Sequence, residues 1–340
     1  MKLLILAGLV GLTALTPAHA ANRWTAVPLN FEKGGLSAVA TVGDSETWAV
    51  GSDIAAHQPV ALRERDGNWE SVAPPSSVGH LYGVSGRAPD QVWVVGTGGT
   101  ALFDGARWNA FESTAASLAD VAAAPDGQAW AVGEAETAGE LQHWDPARRT
   151  WQRQQVPVGD GKSTLAGVSV RAADDVWVVG SNAADGTALA LHWDGGKWVR
   201  TPVAGEGVQL HDVQHLAADD VWAVGRVVTA DGDKPFLVHW DGRQWTVADA
   251  PTEKGWPASV SAVDGGLVAA GAEVDVPYLL RFENGKWRRD EVPAFSPETG
   301  GLSDVAGRGA ALTVTGAINR GDPEGDQQPV APYLGSTGQL

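Results

Sequence analysis

The sequence predicts an all-β fold, a seven-bladed β-propeller of four-stranded antiparallel blades, and three observations carry that prediction. A phrase of the form W-x-V-G recurs at a nearly constant spacing along the chain. Asp-Gly or Asn-Gly pairs, the strongest short hairpin signals, stand between apolar runs in most copies. No long stretch carries the 3.6-residue apolar period of a helix, whereas short alternating runs are frequent.

The chain has 340 residues and opens with Lys2, the apolar run "LLILAGLVGLTAL", Pro17 and "AHA". A positive start, a short apolar core and a small-x-small ending describe a secretory signal over residues 1–20, cut before Ala21. That run is too short for a membrane anchor, and no later stretch approaches the roughly 20 apolar residues of a spanning helix. The expectation is an exported protein, periplasmic or extracellular, with one propeller domain over residues 21–340. Residues 22–28, "NRWTAVP", match the outer-strand phrase "GKWVRTPV" that begins at Gly196.

The glycine that closes each phrase falls at Gly51, Gly96, Gly133, Gly180 and Gly225, with decayed copies ending at Gly271 and Gly316. The separations are 45, 37, 47, 45, 46 and 45 residues, the length of one propeller blade. Each copy begins with L-x-x-V, passes a turn into W-x-V-G, continues through a third apolar run such as "ALALHW", and ends in a strand that starts with Trp. The seventh copy stops before any closing Trp strand, so the strand at about residues 22–28 is expected to complete the last blade and remove the open edges.

Of the 16 Trp, five precede the phrase glycine and seven begin outer strands, counting Trp24. Three lie in "HWD" triplets, and Trp256 has no place in the scheme. A Trp repeated blade after blade is packing material, because large aromatic faces fill the wedge between sheets.

The second copy, "LYGVSGRAPDQVWVVGTGGTALFDGARW", resembles the blades of the photosystem II assembly factor and of sialidase-type (BNR) propellers. The resemblance runs blade by blade over the whole mature chain and implies the fold, not an activity. No copy carries the Ser, Asp, Gly, Thr and Trp spacing of the sialidase Asp-box.

Composition narrows the partners. Lys plus Arg is 24 against 41 for Asp plus Glu, a net charge of −17, which repels phosphate backbones and anionic lipid. Neither nucleic acid nor membrane insertion is expected, and a monomer is. The chain has no Cys, which excludes a disulfide framework and thiolate metal sites.

Candidate chemistry falls in four places. The "HWD" triplets put His143, His192 and His239 two residues from an Asp on the same strand face, either as repeated ligand pockets or as structural His–Asp pairs at a hairpin end. Tyr82 of the second copy joins these three as a candidate ligand contact. The position before the Val of L-x-x-V reads Ala38, Gly83, Asp120, Gly167, Asp212, Ser259 and Asp304. Facing a central channel, the three carboxylates would raise one another's pKa and serve as acid/base or cation-binding groups, or else pair with backbone N–H groups of a neighbouring blade. His211 and His215 flank Asp212; four residues of strand hold them roughly 13 Å apart, too far for one metal ion. Asp322, Glu324 and Asp326 in "NRGDPEGDQQP" alternate somewhat like calcium ligands, without the terminal Glu of a full calcium loop. No other cofactor is expected.

Two functions fit. The preferred one is an exported scaffold that presents its loops or channel mouth to a protein or carbohydrate ligand. The alternative is a hydrolase or lyase that uses Asp120, His211, Asp212, His215 and Asp304 at the channel. The deciding observation is whether those five side chains converge.

Overall fold

A computed structural model describes residues 24–135, 138–184, 186–273, 276–290, 292, 299–319 and 330–337. The leader at residues 1–20 and the candidate calcium residues Asp322, Glu324 and Asp326 lie outside the described residues.

Seven four-stranded antiparallel sheets are present among the described residues, each in plain meander order except the last. Blade 1 runs Gly34–Val42, Glu46–Asp53, Gln58–Arg65 and Asn68–Ser71, and the next five blades repeat that plan. Blade 7 is built from Thr299–Arg308, Ala311–Asn319 and Val330–Thr337, and its outer strand is the N-terminal Trp24–Ala26. Trp24 pairs with Thr337 and Ala26 with Gly335, and Val27 N–H continues to the Leu334 carbonyl at 2.9 Å. The first and last segments of the chain thus share one sheet.

The phrase glycine has a steric cause. In all seven blades the inner strand carries a β-bulge directly after the first residue of L-x-x-V, so that Leu210 faces Gly225 and Asp212 faces Val224. The bulge presses the inner backbone against the second strand. A Cβ on Gly225 would overlap the Gln209 carbonyl oxygen, and the other six phrase glycines meet the equivalent carbonyl. Only glycine fits there.

The core lies between blades. Trp177 of blade 4 stands edge-on to Trp245 of blade 5 at 5.2 Å and 88°, with Trp240 packed beside both. Trp93 meets Trp144 and Trp151 in the same way across the junction of blades 2 and 3. Trp48 and Trp177 are fully buried. Such pairs add about 0.5–1.5 kcal/mol each beyond the area they bury.

Antiparallel order gives the ring two different faces. One carries the links between blades and the loops between second and third strands, and every inner strand starts there. The other, the turn face, carries the tight turns. Asp104, Asp145, Asp194 and Asp241 build those turns: one carboxylate oxygen of each accepts the N–H groups two and three residues ahead. These donors hold Asp104 down at about 2 and depress the other three.

Candidate functional site

Two rings of side chains follow one another on the inner strands. The bulged residues form the first: Ser37, Tyr82, Ala119, Ala166, His211, Ala258 and Ser303. They sit where the inner strands begin, so they rim the channel on the link-bearing face. The next residues inward are Ala38, Gly83, Asp120, Gly167, Asp212, Ser259 and Asp304.

The three Asp of the inner ring do come together. Asp120, Asp212 and Asp304 line one axial space of about 280 Å³. Each carboxylate makes the same two bonds. One oxygen accepts the next residue's own N–H, at 2.7 Å for Val121, Val213 and Val305. The other accepts the N–H of the matching Val in the following blade: Val168 at 2.9 Å, Val260 at 2.7 Å and Val39 at 2.8 Å. The carboxylates therefore fasten blade 3 to 4, 5 to 6 and 7 to 1.

Hydroxyl groups fasten further junctions. Ser259 Oγ accepts Val305 N–H at 3.1 Å, Ser85 Oγ accepts Ala123 N–H at 3.1 Å, and Ser169 Oγ accepts His215 N–H at 3.1 Å. Small residues alternate with Asp for a reason. A Cβ on Gly83 would lie 2.9 Å from Asp120 Cα, and one on Gly167 would lie 2.8 Å from Asp212 Cα.

Burial pushes Asp120 up to about 7 and Asp304 up to about 6, against the pull of their N–H donors. Asp212 is raised well above the usual carboxylate range, by burial first and then by the charges of Asp120 and Asp304. The channel is thus a ring of three mutually repelling acids whose oxygens are already occupied by backbone donors.

The two histidines beside Asp212 point elsewhere. His211 Nδ1 lies 3.0 Å from the Pro257 carbonyl, and burial lowers its pKa. The His215 side chain is fully enclosed, with Nε2 3.4 Å from Asp175 Oδ2 of blade 4, and burial lowers its pKa as well. Neither histidine lines the axial space that holds the three Asp. The five-residue set is therefore divided among three environments.

The "HWD" histidines are packed into the blades. Each stacks flat on the Trp of its own W-x-V-G strand: His143 on Trp130 at 4.2 Å, His192 on Trp177 at 4.6 Å and His239 on Trp222 at 4.5 Å. Their Nε2 atoms reach Gln128, Asp175 at 2.8 Å and Asp220 at 2.9 Å. The partner is thus the residue two before the Trp, not the Asp of the same triplet, which the hairpin turn uses. Burial pushes Asp175 up, but His192, Arg171 and His215 outweigh it and leave it lowered.

Sequence reasoning missed the rim as a set, although Tyr82 and His211 at the first variable position of L-x-x-V are the two large side chains there. Tyr82 is 41% exposed at that rim. The same face also carries exposed Ile54 of blade 1, Val228 of blade 5 and Val276 of blade 6, and Arg226 lies 5.6 Å over the Trp256 ring. Among the described residues no cluster of three or more His, Cys, Asp or Glu is placed to hold a metal ion. None of their helices is long and apolar enough to cross a membrane.

The arrangement defines a seven-bladed propeller with alternate acidic fasteners on its axis. Solved structures agree on the fold. YCF48 bound to a D1 peptide matches with a TM-score of 0.62 at 15% identity, over 95% of this chain and 98% of that one. YCF48 from Cyanidioschyzon merolae matches with a TM-score of 0.59 at 17% identity, over 92% and 98%. The propeller domain of Cps50 (Swd1) from Myceliophteria thermophila matches with a TM-score of 0.60 at 11% identity, over 92% and 99%. The likeness to photosystem II assembly-factor blades expected from the second copy is present at the level of the whole ring. No family model matches the chain, and no curated protein does.

Proposed function

We propose that this chain is an exported, monomeric propeller scaffold that binds a polypeptide partner at the channel rim of its link-bearing face. The observation that carries the reading is the contrast within the inner strands. The axial carboxylates are bonded to backbone, whereas the bulged residue before each of them stands at the rim, where Tyr82 of blade 2 is exposed. Exposed aromatic and apolar side chains gathered on one face are the usual material of a protein-binding surface. A propeller of similar fold, YCF48, has been solved with a peptide bound, which supports a protein partner over a carbohydrate one.

A photo-crosslinking amino acid placed at Tyr82, Val228 or Val276 tests this in the producing cell. Discrete adducts of one size are expected from these positions, and none from Val199 on an outer strand. Equal labelling at all four positions, or none at any, would overturn the reading. The recovered chain is expected to begin at Ala21.

A further inference from the structure

The blade junctions are assembled from similar parts, and the junction of blades 5 and 6 holds a wide cleft on the turn face. At the junction of blades 1 and 2, Trp48, Phe103 and Trp108 form a triangle with centroids 5.2–5.6 Å apart. Arg63 covers it, 5.6 Å over Trp48 and 5.7 Å over Phe103, with its guanidinium held by Glu70. The Trp108 indole N–H donates to the Val72 carbonyl at 3.0 Å.

The junction of blades 5 and 6 has the same triangle in Trp222, Phe282 and Trp287, with centroids 4.6–5.5 Å apart. Its cover is missing. The residue paired with Trp222, as Arg63 is with Trp48, is the shorter His239, which lies flat on Trp222 and bonds Asp220. Ala248 stands where blade 1 has Val72, but its carbonyl does not accept the Trp287 indole N–H as that of Val72 accepts Trp108. Trp287 is 6% exposed, and its indole N–H has no acceptor among the described residues. Buried polar groups in native structures normally find a partner.

The outcome is a cleft of about 1090 Å³ on the turn face, floored by that aromatic triangle. Leu216 and Val247 stand exposed on its walls, at 38% and 53%. Asp219, Asp249 and Glu283 stand at its edge, with Lys286 as the one Lys or Arg in the lining. The chain as a whole carries −17, so the wider field favours the same sign of ligand.

We infer that this cleft is a second docking site, which takes an aromatic or long aliphatic side chain flanked by Lys or Arg in an extended segment of a partner protein. An apolar side chain would cover Leu216, Val247 and the aromatic floor. A backbone carbonyl beside it would offer an acceptor to the Trp287 N–H. The flanking cations would meet Asp219, Asp249 and Glu283. The site lies on the face opposite the channel rim and stands or falls separately from it.

The probes are three seven-residue peptides with a central Trp flanked on each side by two Arg, two Glu or two Ser. Affinity for the mature chain is read by fluorescence anisotropy of a labelled amino terminus. The Arg peptide is expected to bind at least about ten-fold more tightly than the Glu peptide, and to weaken between about 0.05 and about 0.5 M salt. Asp219→Lys and Asp249→Lys are both surface changes, and each should weaken it at least about five-fold. Neither should alter the crosslinking at Tyr82, Val228 and Val276, so failure of one site is distinguishable from failure of the other. Equal affinity for all three peptides, or no response to the two substitutions, overturns the inference. So does a concentration-dependent dimer that Asp249→Lys makes monomeric, since the occupant is then a second copy of the chain.

Discussion

Two consecutive positions on the same seven strands are used in opposite ways. The residue after the bulge is Asp, Gly, Ala or Ser, and wherever it is Asp both carboxylate oxygens bind backbone N–H groups. The bulged residue before it ranges from Ala to Tyr and His. A single residue along the chain separates the backbone-bonded ring from the rim. The difference teaches that burial and unusual titration do not by themselves mark a functional group. Asp120 and Asp212 are among the most perturbed acids in the molecule, and their geometry is that of a fastener.

The largest expected effect breaks the inner ring. Asp212→Ala leaves the N–H groups of Val213 and Val260 without their acceptors. At roughly 1–3 kcal/mol for each donor, urea unfolding should show a loss of roughly 2–6 kcal/mol. A loss below about 1 kcal/mol would mean that the ring is not what joins blades 5 and 6.

A smaller effect concerns pH. Asp120 and Asp304 are raised in the folded chain to about 7 and about 6. The folded state therefore holds protons that the unfolded state has released, and stability falls as pH rises through those values. His143, His211 and His215 are lowered, which runs the other way but is complete above their ordinary pKa of about 6.5. The window in which the carboxylates act alone is thus about pH 6.5 to 8. Denaturation midpoints should fall across that window in the natural chain and fall less steeply in an Asp120→Asn, Asp304→Asn double variant, which keeps only Asp212. A natural chain with a level profile would contradict the burial that raises these acids.

Much of the fold was legible because it is written repeatedly. The W-x-V-G phrase, the Asp-Gly turns and the orphaned outer strand at the N-terminus specify seven blades and their closure. The same alignment placed Asp120, Asp212 and Asp304 at one level of the channel. What it did not give was the bulge, since a bulge is a backbone event that leaves only a glycine on the facing strand as its mark. Nor did it give the true partners of His192 and His239, which lie 17 and 19 residues back along the chain at Asp175 and Asp220. The cleft at the junction of blades 5 and 6 was hidden for a related reason. His239 stands there in place of the longer Arg63, a change that blades 3 and 4 share with His143 and His192 and that therefore does not mark the junction out in the sequence.

Native-state hydrogen exchange at Val39, Val168 and Val260 tests the central claim most directly. These are the amides that Asp304, Asp120 and Asp212 accept across blade junctions. The account predicts that all three exchange near the global unfolding limit in the natural chain. Tyr82→Ser should leave them unchanged and shift overall stability by less than about 0.5 kcal/mol, whereas Asp212→Ala should release Val260 first. Fast exchange at all three in the natural chain, or loss of their protection in Tyr82→Ser, would contradict the division between an inner ring that holds the propeller together and a rim that is free to bind.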